Sequence, residues 1–475
     1  MPKSSLSELV IVANRLPVDR VVDADGEVHW HTSPGGLVTA LEPVIRAAKG
    51  AWVGWPGAAD IELEQFEVDG MTLIPMTLSA SDVALYYEGF SNDTIWPLYH
   101  DVIAPPRYRR VWWEAYERVN RRFAEAAAAA TAPGGTIWVH DYQLQLVPRM
   151  VRNLRPDVTI GYFHHIPFPA YGLYSQLPWR RQVLDGLLGA DVIGFQRVAD
   201  AGNFLQAVRR QLPYPTHKSR VTVTDTNGID RSVTVKPFPI SIDVAEYQAI
   251  AKRPDVMARA AEIREELGHP RAILLGVDRL DYTKGIRHRL KAFGELLEDE
   301  DLSVTDATLV QVASPSRERV AAYMQLRDEI ELTVGRINGI FDTTGHTAIR
   351  YLHHSYPRDE MVAMYLAADV MLVTALRDGM NLVAKEYVAA RGSNGGVLVL
   401  SEFAGAADQL QGALLINPHD IDGMKEAIMA AIDMPHAEQT RRMRAMQRRL
   451  KRDDVAAWAE AFLHELHSHV REHNE

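Results

Sequence analysis

Six short apolar runs, each ending on a charged or hydrogen-bonding side chain, constrain this sequence more than any other feature. Residues 9–13 end at Asn14-Arg15, residues 136–140 at Asp141, and residues 160–164 at His165. Residues 272–277 lead to Asp278-Arg279, residues 308–313 to Ser314-Pro315-Ser316-Arg317, and residues 370–374 to Asp378. Runs this short and apolar, separated by helical patterns, predict an α/β fold with mainly parallel sheets. In such sheets ligands bind outside the carboxyl ends of the strands, where loops converge and helix N-termini point inward. One such residue alone reads as a solvated loop residue or a helix cap; six together predict a ligand cleft.

The sixth end carries the most chemistry. Ala375-Leu376-Arg377-Asp378-Gly379-Met380-Asn381-Leu382-Val383-Ala384-Lys385-Glu386 runs from a strand through a glycine bend into a helix start. That geometry offers free backbone N–H groups to an anion. Asp378 and Glu386 flank the bend, an arrangement that suits a sugar joined to a phosphate better than a metal cage.

A chain of 475 residues exceeds what one core organises, so two domains are expected. The net charge of −11 argues against a nucleic-acid partner, and basic residues at strand ends of an acidic chain suggest focused binding of a small anion. No apolar run approaches the ~20 residues that span a bilayer. Met1-Pro2-Lys3 passes into the first strand without a secretory signal pattern. The absence of cysteine excludes disulfides, thiolate metal sites and a cysteine nucleophile, and a cytoplasmic location is expected.

The strand–helix order breaks once. Residues 220–223 and 232–236 flank Asp225-Thr226-Asn227-Gly228, a hairpin signal, and Lys236-Pro237-Phe238-Pro239-Ile240-Ser241-Ile242-Asp243 follows. Two prolines forbid a helix there, which places the domain boundary near residue 240. The predicted domains are 1–240, with a returning terminal helix 455–475, and 241–454. Asp23-Ala24-Asp25-Gly26 is a second hairpin turn. Residues 124–131 read as an alanine-rich helix end stopped by Pro133-Gly134-Gly135. In the terminal helix Val455, Trp458, Phe462, Leu466 and Val470 form one buried stripe that needs a surface to cover. His464, His467, His469 and His473 lack zincin spacing and read as a solvated tail. Walker, Gly-x-Gly-x-x-Gly and Gly-x-Ser-x-Gly patterns are absent, which weighs against nucleotide hydrolases, dehydrogenases and serine esterases.

Several segments together resemble the trehalose-6-phosphate synthases, a family of retaining nucleotide-sugar glucosyltransferases. They are Val12-Ala13-Asn14-Arg15-Leu16-Pro17, Ser33-Pro34-Gly35-Gly36-Leu37, Tyr86-Tyr87-Glu88-Gly89-Phe90-Ser91-Asn92 with Trp96-Pro97, and Val139-His140-Asp141-Tyr142. His165-Ile166-Pro167-Phe168-Pro169, Val277-Asp278-Arg279-Leu280-Asp281-Tyr282-Thr283-Lys284-Gly285, Ala313-Ser314-Pro315-Ser316-Arg317 and the bend through Glu386 complete the set, in order along nearly the whole chain. The resemblance implies two Rossmann-like domains of the GT-B type facing across a deep cleft, with the terminal helix crossing back to the first.

It also implies roles. Arg279 and Lys284 would hold the diphosphate of a nucleoside diphosphate glucose, UDP-glucose or else ADP-glucose, and would stabilise charge on the leaving group. The amides of Leu382 and Val383, within Gly379-Met380-Asn381, would add dipoles, and Glu386 would accept hydrogen bonds from the ribose. Tyr356 matches a position near the base, and Gly35 and Gly36 would let backbone approach the donor. Asp378 and His165 would bind glucosyl hydroxyls. Glucose 6-phosphate, the implied acceptor, would have its phosphate clamped by Arg15 and Arg317 with the Tyr87 hydroxyl. Trp96 and Trp55 would wall that site, and Asp141 would touch the acceptor sugar. Arg279, Lys284, His165, Asp378 and Asp141 are the implied catalytic group, acting without metal or cofactor in a same-face reaction. A homo-oligomer, tetramer or dimer, is implied as well.

His164, Ala170-Tyr171-Gly172 and Pro97-Leu98-Tyr99-His100-Asp101 depart from the family pattern, and the changes at 164–172 bear on sugar selectivity. Three other functions fit parts of the sequence. They are a glucosyltransferase with another phosphorylated acceptor such as glycerol 3-phosphate, a pyridoxal-phosphate phosphorylase of similar shape, and a catalytically silent sugar-phosphate sensor.

Overall fold

A computed structural model describes residues 6–22, 28–32, 38, 41, 45, 46, 48, 50–224, 228–392 and 395–474. Gly35, Gly36, the turn at 23–26 and the hairpin tip at 225–227 lie outside the described residues. The chain divides into two compact units, Met1–Ile240 with Ala456–Glu475, and Ser241–Val455.

The first unit holds β1 (Ser7–Arg15), β2 (Val18–Val22), β3 (Val28–Thr32), β4 (Ala51–Trp55), β5 (Phe66–Val68), β6 (Met71–Pro75), β7 (Thr131–His140), β8 (Thr159–Phe163), β9 (Val192–Phe195), β10 (Thr216–His217), β11 (Arg220–Thr224) and β12 (Asp230–Pro237). Ten of these form one sheet in the order β10-β11-β12-β9-β8-β7-β1-β4-β6-β5, and β2 pairs with β3 as a separate hairpin. From β6 to β12 every neighbouring pair is parallel; antiparallel pairs occur only at the β5 edge and the β10–β11–β12 edge. Central strands are apolar on both faces, as parallel strands covered by helices must be; Val10, Ile11 and Val12 are fully buried.

The second unit has β13 (Ala272–Arg279), β14 (Ala307–Ser314), β15 (Ile349–Leu352), β16 (Val370–Val373), β17 (Val397–Ser401) and β18 (Leu414–Ile416). They form an all-parallel sheet in the order β15-β14-β13-β16-β17-β18. Numbered along the chain, that is the doubly wound 3-2-1-4-5-6 order, and the first unit's parallel core β6-β4-β1-β7-β8-β9 repeats it. The order reverses between β1 and β7 in one unit and between β13 and β16 in the other. Arg15 and Asp141 flank the first switch point, and Arg279 and Asp378 flank the second.

The alanine-rich helix ends earlier than its composition predicts. It spans Arg110–Ala130, and Thr131 already belongs to β7, which runs through Pro133 and Gly134. The register of β7 against β1 shifts between Ser7 and Leu9, where the proline has no N–H to give. The terminal helix Val455–Asn474 lies on the first unit's sheet. Phe462 stacks on Trp138 at 4.5 Å, Trp458 meets Phe163 edge-on at 5.0 Å, and Trp458 Nε1 donates to Phe238 O. A Cβ on Gly161 or Gly194 would come within 2.8 or 2.9 Å of the Phe462 ring, so these glycines set how closely the helix seats.

Candidate active site

At the end of β1 the Arg15 carbonyl accepts from Trp52 Nε1 at 2.9 Å. Its guanidinium lies 5.3 Å from the centroid of Trp55, and Trp55 meets Tyr87 at 5.6 Å. Gly57 has φ of +95°, and a Cβ there would sit 2.2 Å from an Arg15 nitrogen, so only glycine leaves the cation its place. Tyr87 belongs to Val83–Ile95, a segment wound as a π-helix, a conformation concentrated at functional sites. The adjacent Tyr86 hydroxyl donates to Asn14 Oδ1 at 2.8 Å and ties that segment to the strand end. Trp96, as buried as Trp55 at 4% exposed, packs on His100 and Tyr142.

Asp141 and His165 come together as well. Asp141 has φ of +73°, a strained backbone for an aspartate, and its Oδ1 accepts from Tyr142 N at 3.0 Å and His165 N at 3.2 Å. His165 Nε2 lies 3.1 Å from His140 Nδ1. Burial pushes the His165 imidazole down to about 3. Burial, then the neighbouring His165, does the same to His164 and holds His140 well below its ordinary value. All three rings are therefore neutral at physiological pH: hydrogen-bonding groups, not cations.

The second unit solves its polar problem with charge. Lys284 Nζ and Asp378 Oδ2 form a 2.6 Å ion pair whose side chains are 11% and 14% exposed. Asn381 donates to the same carboxylate oxygen at 3.1 Å. Asp281 lies beneath: its Oδ1 accepts from Thr283, its Oδ2 from Tyr323 at 2.9 Å and from Arg317 at 3.3 Å. Burial pushes the Asp281 carboxyl up, but Arg317, Arg279 and Lys284 outweigh it and leave it at about 2. Gly285, with φ of +66°, caps this turn where a Cβ would lie 2.0 Å from the Thr374 carbonyl. Arg279 itself is exposed at the end of β13.

The helix Leu382–Ala390 starts beside these charges. Asn381, at φ of +75°, caps it by accepting from Ala384 N. The first two amides, Leu382 and Val383, precede any intrahelical acceptor and remain available to an anion. Glu386, one turn in, accepts from Tyr365 OH at 2.7 Å. Burial raises its pKa against the opposing hydrogen bonds of Tyr365 and Tyr247. Met380 is buried, and the Gly379 carbonyl meets Gly405 so closely that a Cβ there would lie 2.0 Å away.

Tyr356 meets the His354 ring at 4.3 Å, tilted by 45°, and lines a pocket of about 410 Å³ with Ile263, Leu267, Val310 and Leu352. Sequence reasoning passed over His140, Gly57, Asp281, Tyr247 and Tyr365. His140 had a signal, because it alternates with Trp138 on a strand that ends in a functional aspartate; the two tyrosines reach Glu386 from distant segments and had none. Lys284 and Asp378, expected to take separate ligand groups, are partners here, since two nearly buried opposite charges satisfy each other. Among the described residues no three His, Asp or Glu side chains gather to hold a metal ion, and no helix is long and apolar enough to cross a membrane.

The sequence profile of Glycosyltransferase family 20 matches residues 7–468. A trehalose-6-phosphate synthase of Mycolicibacterium gilvum (strain PYR-GCK) is 56% identical over 477 residues, 98% of this chain and 95% of its own length. The crystal structure of an α,α-trehalose-phosphate synthase (UDP-forming) from Burkholderia xenovorans in complex with glucose-6-phosphate superposes with a TM-score of 0.88 at 35% identity, covering 97% of this chain and 99% of that one. An E. coli relative bound with UDP-2-fluoro glucose gives 0.87 at 33% identity, covering 96% and 98%.

Proposed function

The chain belongs to glycosyltransferase family 20 and is an enzyme of the trehalose-6-phosphate synthase type, and from that premise we propose that it moves glucose from UDP-glucose, with ADP-glucose as the alternative donor, to glucose 6-phosphate with retention at the anomeric carbon. The observation that carries the donor half is the grouping of Arg279, Lys284, the amides of Leu382 and Val383, and the half-buried Glu386 at the second unit's switch point. Cations and a helix N-terminus suit a diphosphate. A half-buried carboxylate one turn further suits the ribose diol, and Tyr356 the neighbourhood of the base.

On this reading Arg15, with Tyr87 and walled by Trp55 and Trp96, receives the acceptor phosphate on the first unit. Arg317 is the second cation assigned to it, and Asp141 touches the acceptor sugar. Gly35 and Gly36 are assigned to the close approach of backbone to the donor. His165 and Asp378 orient the glucosyl hydroxyls. The C1–oxygen bond to the diphosphate breaks while a bond from C1 to the acceptor's anomeric oxygen forms on the same face. The acceptor's hydroxyl proton passes to the departing phosphate oxygen. Arg279 and Lys284 stabilise the charge that develops there, and the residues supply position and electrostatics without a covalent step. The reaction calls for no cofactor, since the nucleotide sugar is consumed as substrate.

The test is nucleoside diphosphate release from UDP-glucose or ADP-glucose, with and without glucose 6-phosphate. Acceptor-dependent release with a non-reducing disaccharide phosphate in the mass spectrum is the expected result, and the faster donor names the nucleotide. Release that ignores glucose 6-phosphate but responds to another phosphorylated acceptor overturns the acceptor assignment.

A further inference from the structure

His140 has no part in the reaction as set out, yet it is fully buried at the end of β7 and hydrogen-bonded to the one histidine assigned to the sugar. We propose that His140 is a positioning residue: through its Nδ1 it holds the His165 ring in one orientation and one tautomer, with the His165 proton on Nδ1, so that His165 meets its ligand as a hydrogen-bond donor. This rests on the reading that His165 contacts the transferred glucosyl group.

The contact between His140 Nδ1 and His165 Nε2 accommodates one proton. If that proton belonged to His165, the proton of neutral His140 would sit on Nε2. That atom is buried with no partner, on a ring whose centroid lies 4.8 Å from that of Trp138, whose own Nε1 is also buried and unpartnered. Neighbouring rings would then carry two orphaned N–H donors, and orphaned buried N–H groups are the rarer and costlier fault. With the proton on His140 Nδ1, only a lone pair is left on the buried Nε2. His165 Nε2 then accepts, and its proton must lie on Nδ1, the nitrogen for which no described residue provides a hydrogen bond. The second nitrogen's partner sets the tautomer of the first, as in other oriented histidines.

The surroundings keep the pair neutral. β7 contributes Trp138, β8 contributes Phe163, and the terminal helix contributes Trp458, 6.4 Å from His165, and Phe462, stacked on Trp138; the Asp141 carboxylate just past β7 opposes them, with one oxygen engaged by the backbone N–H groups of Tyr142 and His165. Burial lowers both imidazoles far enough that neither is protonated at physiological pH. An element from the far end of the chain thereby covers the Trp138 and Phe163 rings against which the two histidines lie.

The test uses the full chain with 15N-labelled histidine, the His165 signals being assigned by their loss in His165→Asn. The wild type is expected to show His165 as the Nδ1–H tautomer with no titration near neutral pH. In His140→Leu, His165 is expected to lose its single tautomer, and kcat/KM to fall on the order of tenfold to a hundredfold. Asn places its amide where the histidine Nδ1 was, whereas Gln places it where Nε2 was. His140→Asn should therefore recover most of the activity and His140→Gln should not, a distinction that a merely structural role would not make. An Nε2–H His165 in the wild type, an unchanged tautomer in His140→Leu, or equal activity of the Asn and Gln variants overturns the proposal. If His140→Leu fails to fold, the Asn/Gln pair decides alone. Full activity of His165→Leu, which has no donor at that place, would instead remove the glucosyl contact, while the tautomer measurement would still decide the role of His140.

Discussion

The two units share a strand order but furnish the strand ends beside their switch points differently. In the first unit the histidines at and just past the ends of β7 and β8 are kept neutral by burial among aromatic rings, next to the Asp141 carboxylate. The second keeps charges and cross-pairs them: Lys284 with Asp378, Arg317 with Asp281, and, at 2.7 Å and fully buried, Arg289 with Asp278. A sugar needs hydrogen-bond partners of fixed direction, which neutral rings provide without the cost of desolvating an ion. A diphosphate brings its own charge, and paired ions beside a helix N-terminus can re-pair to it.

The sharpest way to break the comparison is to remove what sustains each half. Phe462→Ala should lower unfolding stability by about 3–5 kcal/mol in urea denaturation, since it strips the ring stacked on Trp138. Arg289→Leu should cost about as much, about 3–5 kcal/mol, because Asp278 is left buried without its cation. A loss below about 1 kcal/mol in either would show that the feature does not hold its unit together.

Catalysis should separate the units next. Lys284→Ala is expected to lower kcat about a hundredfold to a thousandfold at saturating substrates, the scale of losing one stabiliser of transition-state charge. A change in KM alone would place Lys284 in ground-state binding instead.

Acidification should weaken the first unit through its buried histidines. Histidines whose folded pKa lies below the unfolded value bind fewer protons in the native state, so stability is full above about pH 6.5 and falls as the pH drops from there toward about 3. His164→Asn, whose amide can still reach the Tyr162 hydroxyl, should shrink the stability difference between about pH 7.5 and about pH 5.5 by about 1.4 kcal/mol. An unchanged difference would show that His164 is not held neutral.

The smallest effect is expected at Glu386. Its raised pKa means that the ionised form is lost at a higher pH than for an ordinary glutamate, so the donor KM should rise early on acidification. Glu386→Gln should raise that KM about fivefold, roughly 1 kcal/mol, and flatten the acid limb. A limb that persists in the variant assigns it to another group.

By itself the sequence determined the parallel α/β class, the strands at 220–223 and 232–236 that flank one hairpin signal, and the strand ends near which Arg15, Asp141, His165, Arg279, Arg317 and Asp378 lie. These follow from local patterns: apolar runs, turn chemistry, and the tendency of parallel strands to end at ligands. Helix Arg110–Ala130 shows the limit, since composition alone did not place its last residue. Only the tertiary structure decided that Lys284 pairs with Asp378, that Tyr365 reaches Glu386, that Gly57 cradles Arg15, and that His140 faces His165 where the terminal helix sets Trp458 beside it. Those facts depend on burial and on partners brought from distant segments. Local periodicity records which face of an element is apolar, not which distant side chain will cover it.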